Sequence, residues 1–161
     1  MNRPYITKLH IILEILSLVL ALAALLVAIV FAATEDGPVP THYGFDGKPD
    51  AWGSAWGGVI LPVIMLLSTA GMNAVIHLTS PDAWNLGIRN IRPSRRTLII
   101  SDACTMMAMI EFGMAAFSLA FTLISAFGDG KGLLALTGVL MLMLFAPVVW
   151  FFIAANRHNK Q

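Results

Sequence analysis

Four long apolar runs dominate this chain: Leu9–Ala33, Gly58–Thr79, Leu98–Phe127 and Leu133–Ala155. A bilayer-spanning helix needs about 20 mostly apolar residues, because each residue rises ~1.5 Å and the hydrocarbon layer is ~30 Å thick. Every run passes that test. The first carries one charge, Glu14, and the third carries Asp102 and Glu111. The second and fourth carry no Lys, Arg, Asp or Glu. None shows the broad polar face of a soluble helix. Lipid cannot satisfy a free backbone N–H or C=O, so each span is expected to be a helix. The expected fold is all-α: an integral-membrane four-helix bundle forming a single domain over residues 1–161.

Composition excludes most other classes. Hydrophobic residues make up 58% and charged residues 12%, against about 45–50% and about 25% in ordinary soluble domains. A disordered tail, a basic nucleic-acid binder and a water-soluble globule are therefore out. One cysteine, Cys104, leaves no internal disulfide and no Cys-based metal cage. The first span has a basic start, Arg3 and Lys8, and ends at the small pair Ala32–Ala33. A signal peptide's apolar region is only about 7–15 residues, so an uncleaved helix is expected.

Orientation follows from Lys and Arg in the short loops. Arg3, Lys8, Arg89, Arg92, Arg95, Arg96, Arg157 and Lys160 share one side, against Lys48 and Lys131 on the other. Both termini are thus expected in the cytoplasm, with the 34–57 segment and a tight Gly128–Gly132 turn outside. Trp52 and Trp56 stand at the outer boundary, and Tyr5, Trp84 and Trp150 near the inner one, where amphipathic rings suit the headgroups. Stripes of small residues, Ala24–Ala28–Ala32 and Ala116–Ala120, offer close helix packing. Pro62 and Pro147 are expected to kink their helices.

The outward loop is rich in glycine and proline, yet it holds His42, Tyr43, Phe45, Trp52 and Trp56. A plain tether needs no such aromatics, so the loop is expected to be structured. Pro38 and Pro40 force extended backbone. Asp46-Gly47-Lys48-Pro49 reads as a turn, with Gly47 free to take positive φ. Asp50 is expected to cap a short interfacial helix that places Trp52 and Trp56 on one face. His42, Asp46 and Asp50 recur every four residues, a spacing that on a helix would hold a divalent cation. Gly44, Gly47 and Pro49 argue against a helix there, and no bound metal or cofactor is expected.

The run Pro40-x-His42-x4-Gly47-x2-Asp50-x-Trp52-Gly53-Ser54, followed by Leu61-Pro62, resembles a bacterial membrane family, domain of unknown function 1648. That domain also forms the amino-terminal part of SdpI-like proteins, and the resemblance covers about residues 10–80. It implies a multi-pass plasma-membrane protein. It also implies, as in the best-known members, protection against a secreted toxic peptide. The second half departs from the SdpI pattern: Asn85-Leu86-Gly87-Ile88-Arg89 is faintly similar to it, but the tryptophan-containing continuation is absent.

Ionisable groups inside the spans cost about 2.5–3.5 kcal/mol each at mid-bilayer. Glu111 sits near the middle of its span. It is either a protonated acid hydrogen-bonded between helices or part of an ion-handling site. Glu14, His77 and Asp102 lie near the cytoplasmic ends of their spans and could cluster, with Asn73 about one turn deeper than His77. Lys8, Arg95 and Arg96 are the expected partners of Glu14 and Asp102, and His77 is expected to snorkel. No HExxH, GxSxG, phosphate-binding loop or CxxC occurs.

The expectation is a non-enzymatic membrane protein whose loop senses or occludes a membrane-active peptide or other ligand. The lipid bilayer, and a partner membrane protein, are its expected partners, with no nucleic acid. The alternative is a small proton- or ion-coupled transporter, or an accessory subunit of one, working as a homo-oligomer. A metal-dependent membrane enzyme at His42 ranks last.

Overall fold

A computed structural model describes residues 3–44, 46–128 and 132–160. Four helices, α1 (Lys8–Thr34), α2 (Ile60–Leu78), α3 (Arg96–Phe127) and α4 (Leu133–Lys160), frame a two-stranded sheet, β1 (Val39–Tyr43) and β2 (Pro49–Gly53). All four helices, α2 taken with the 3₁₀ turn before it, are long and apolar enough to cross a membrane. The chain alternates direction. The hairpin therefore lies at one end, and both termini and the 79–95 loop lie at the other.

Thr7 starts α1. Its Oγ1 accepts from the His10 backbone N–H at 3.4 Å, while its own N–H donates to His10 Nδ1 at 3.1 Å. This is a capping box with histidine in the usual Glu/Gln role.

The buried face of α1 is His10, Glu14, Ser17, Ala21, Ala24, Ala28 and Ala32. On α3 the buried set includes Cys104, Ala108, Glu111, Ala115, Ser118 and Thr122. Both series step by three and four residues, the 3.5-residue period of helices that cross at a shallow angle. The two helices run parallel and share the most extensive helix–helix contact of the molecule. His10 Nε2 meets Thr105 Oγ1 at 2.7 Å near one end, and the Phe31 and Phe127 rings stand 5.9 Å apart at the other. Small side chains let the backbones approach, which is how helices associate in lipid. Leu9, Ile12, Ile15, Val19, Leu22, Leu26 and Val30 point outward instead. Of the expected alanine stripes, Ala24–Ala28–Ala32 lies in this seam, but Ala116 and Ala120 are only half-buried. The α3 seam runs through polar small residues, which a search for alanine overlooks.

The expected four-helix bundle is not closed. α2 packs on both α1 and α3, whereas α4 packs on α3 with only marginal contact to α1 or α2. At Gly113 a Cβ would lie 2.8 Å from Met143 Cβ, so glycine sets how closely α4 approaches. Pro62 falls in the first turn of α2, where backbone N–H groups have no helical partner, and the helix forms around it. Pro147 is buried inside α4, which runs on to Lys160, five residues past the expected span.

The fold is mostly helical, with one small sheet among the described residues. β1 and β2 pair antiparallel, with Pro40 opposite Trp52 and an irregular register around His42. Each strand of a two-stranded ribbon is an edge strand, the setting in which proline is tolerated. The turn is as expected at Gly47, with φ 74°. Lys48 N–H donates to Asp46 Oδ1 at 3.1 Å and Gly44 N–H to Lys48 O at 2.9 Å. Asp50 is a strand residue and caps no helix. Ser54 caps instead, its Oγ accepting from Trp56 N–H ahead of the 3₁₀ turn Ala55–Val59. Phe45, and the Gly128–Gly132 turn with Lys131, fall wholly or partly outside the described residues.

The termini end is tied together by polar contacts. Arg3 Nη1 donates to Ile76 O at 2.6 Å and Thr79 O at 3.2 Å, closing the C-terminus of α2 with a cation as the helix dipole favours. Arg96 pairs with Asp82. Arg92 N–H donates to Asn159 Oδ1 at 3.0 Å, fastening the 79–95 loop to the end of α4.

Gly113→Leu is expected to lower stability by about 1–3 kcal/mol through overpacking against α4. Thermal unfolding in detergent measures it, and adding Met143→Ala should restore part of the loss.

Candidate functional site

The hairpin roofs a cavity of about 310 Å³. Ala28 and Phe31 of α1, Pro40 and Tyr43 of β1, and Phe121 and Thr122 of α3 are among its walls. The lining is mostly apolar. Thr122 stands in this wall, and its Oγ1 is buried with no hydrogen-bond partner among the described residues. On the strands, His42 Nδ1 and Asp50 Oδ1 lie 2.5 Å apart, with both side chains more than half exposed. The pair clips β1 to β2 across the ribbon. Trp52 and Trp56, 61% and 56% exposed, stand free at this end.

Of the residues singled out in the loop motif, Pro40 thus lines the cavity, Gly47 makes the turn, and His42 and Asp50 bond to each other. Trp52 is displayed outward, and a Cβ at Gly53 would press on Thr41 Cγ2 at 3.0 Å. Asp46 turns to the Lys48 ammonium at 3.7 Å instead of joining His42 and Asp50. Among the described residues no group of three His, Cys, Asp or Glu side chains is arranged to hold a metal ion.

A second polar site lies between α1, α2 and α3 toward the termini end. His77 Nε2 donates to Glu14 Oε2 at 2.8 Å, and Asn73 Nδ2 donates to Glu111 Oε2 at 2.5 Å and to Thr69 O at 3.2 Å. Glu14 is 4% exposed and Glu111 fully buried. Glu14 and Glu111 stand about one step apart in the facing buried series of α1 and α3. His10 completes the wall. Its Nδ1 accepts from Thr7 N–H, so the ring hydrogen is on Nε2, which donates to Thr105 Oγ1; that hydroxyl donates on to Ser101 O at 2.9 Å.

The structure therefore joins Glu14 to His77 and brings Glu111 to the same cluster through Asn73. Asp102 goes elsewhere. It bonds to His158 Nδ1 at 2.8 Å on the last turn of α4. The expected partners Lys8, Arg95 and Arg96 are not used by Glu14 or Asp102, because the imidazoles of facing helices reach deeper. His77 is a partner of Glu14 and does not merely snorkel. Glu111 stays near the middle of α3 and faces α1 near Ser17 in the buried series.

Sequence reasoning missed Thr122, Thr69 and His158. Thr122 was readable as one step in the 3.5-residue polar series of α3. Thr69 and His158 gave no local signal.

Asn73→Leu is expected to destabilise the protein by about 1–3 kcal/mol, since it strips a buried carboxyl oxygen of its donor. Unfolding in detergent measures it, and Asn73→Gln should cost less.

The model of a family described as Domain of unknown function (DUF1648) matches residues 19–66. That stretch is the hairpin half of α1, the whole hairpin and the first turns of α2, which supply most of the cavity wall. No curated protein and no solved structure matches the chain. Residues 19–66 are thus similar to that domain, and the four helices long and apolar enough to cross a membrane fit a multi-pass membrane protein.

Proposed function

We propose that the protein is a non-enzymatic bacterial plasma-membrane protein, SdpI-like in role, that receives a membrane-active peptide at its hairpin end. The cavity under the hairpin carries this reading. At about 310 Å³ it lies at the lower end of the range of ligand pockets and takes one or two large apolar side chains. Exposed Trp52 and Trp56 beside it offer amphipathic rings to a ligand that lies at the headgroup level. The hairpin stands over the helical frame, and occupancy of the cavity would bias the α1–α3 contact below it. Basic residues collect at the opposite end, where Arg3, Lys8, Arg89, Arg92, Arg95, Arg96, Arg157 and Lys160 favour a cytoplasmic placement of both termini.

Two measurements test the reading. In a sensitive host, expression is expected to raise tolerance to membrane-active peptides, and Trp52→Ala or the cavity-filling Ser125→Phe is expected to abolish the gain. Equal tolerance with and without the protein removes the proposal. For orientation, His42→Cys in a Cys104→Ala background is expected to react with a membrane-impermeant thiol reagent added to intact cells. Labelling only after lysis reverses the topology.

A further inference from the structure

The cluster between α1, α2 and α3 is short of hydrogen-bond donors. Glu14 Oε2 and Glu111 Oε2 each accept one bond, from His77 and Asn73. Glu14 Oε1 and Glu111 Oε1 are buried with no partner among the described residues. So is the hydroxyl of Thr69, one turn from Asn73 on the same face of α2. An ionised carboxylate only accepts, whereas a protonated one adds a donor.

The charges do not balance either. On α1 the groups facing the cluster are Glu14 and His10, and the bonds of His10 fix it as a neutral ring. On α2 the only titratable side chain is His77. On α3 they are Glu111 and the thiol of Cys104, while Asp102 is taken by His158 of α4. Arg3, from the segment before α1, spends its guanidinium on the last carbonyls of α2 and on Tyr5. The remaining charges of α4, Arg157 and Lys160, are exposed at its tip. Two buried carboxyls thus face one imidazole, and an unpaired buried charge is costly in a protein interior and more so in lipid.

We infer that Glu14 and Glu111 form a proton-binding site that holds one proton between them and exchanges it with the termini side through His77. The geometry gives the route. The His77 side chain is 39% exposed while that of Glu14, to which it bonds, is 5% exposed. A proton leaves imidazolium Nε2 for Glu14 Oε2, restoring the neutral ring, and then equilibrates with the Glu111 carboxyl one step along the seam, to which Glu14 makes no direct hydrogen bond. It goes no further. Ala21 and Ala115, both 0% exposed, fill the seam toward Ser118, about 10 Å along α3. The site stores a proton and conducts none.

The chain has three glutamates, Glu14, Glu35 and Glu111. Glu35→Gln therefore leaves only the buried pair. The full chain, carrying carboxyl-labelled glutamate and reconstituted in lipid nanodiscs, is read by isotope-edited infrared spectroscopy near neutral pH. One protonated and one ionised glutamate carboxyl are expected in the Glu35→Gln protein, with loss of the protonated band when Glu111→Gln is added. Two ionised or two protonated carboxyls overturn the site, and this reading needs no variant within the cluster. His77→Phe should keep the protonated band while slowing its hydrogen–deuterium exchange; unchanged exchange overturns the route. Proton flux across proteoliposomes, abolished by Glu111→Gln, would overturn the dead end.

Discussion

The close parallel contact of α1 with α3 is the interaction on which the rest depends. A soluble helix pair buries leucine and isoleucine and shows its polar groups to water. Here the order is reversed: Ala21, Ala24, Ser17, Ala108, Ala115 and Ser118 meet inside while the large aliphatic residues of α1 stand outside. Where the surroundings are as apolar as the side chains, burial of leucine contributes little and backbone proximity contributes most. One set of small residues fixes the spacing of the two helices. It also fixes which polar residues on each can be tolerated, because only those within reach of another helix find partners.

That constraint accounts for the distribution of polar groups. His10, Glu14 and Ser17 occupy seam positions of α1, and Cys104, Glu111, Ser118 and Thr122 occupy seam positions of α3. α2 lies beside both and supplies Asn73 and His77. At the hairpin end the same two helices line the cavity with Phe31 and Phe121, and β1 of the hairpin supplies another wall. The two sites are therefore opposite ends of one interface.

Much of this was legible in the chain alone. Hydropathy placed the helices to within two or three residues, except at the end of α4, because run length and apolarity are local properties. The Gly47 turn was legible because a Gly between Asp46 and Lys48 relieves positive φ at little steric cost. The hairpin was not. Pro38 and Pro40 announced extended chain, but strand pairing joins residues that are not neighbours in the chain, as Pro40 and Trp52 are not, and Asp50 before Trp52 looked like a helix cap. Partners across helices were equally silent. Glu111 finds Asn73 at a separation of 38 residues and Asp102 finds His158 at 56, and neither spacing leaves a periodic trace. Interior acids could be recognised as expensive by depth, but their counterparts emerged only when helix register was known.

The position of α4 has a mechanical consequence. It leans on α3 along its length, while its final turn is moored by Asn159 to the segment that follows α2 and by His158 to Asp102. It behaves as an outrigger. A pull on the 79–95 segment is therefore shared: it reaches α4 through Asn159, and through the bond of Arg3 to Thr79 O it reaches the segment that leads into α1.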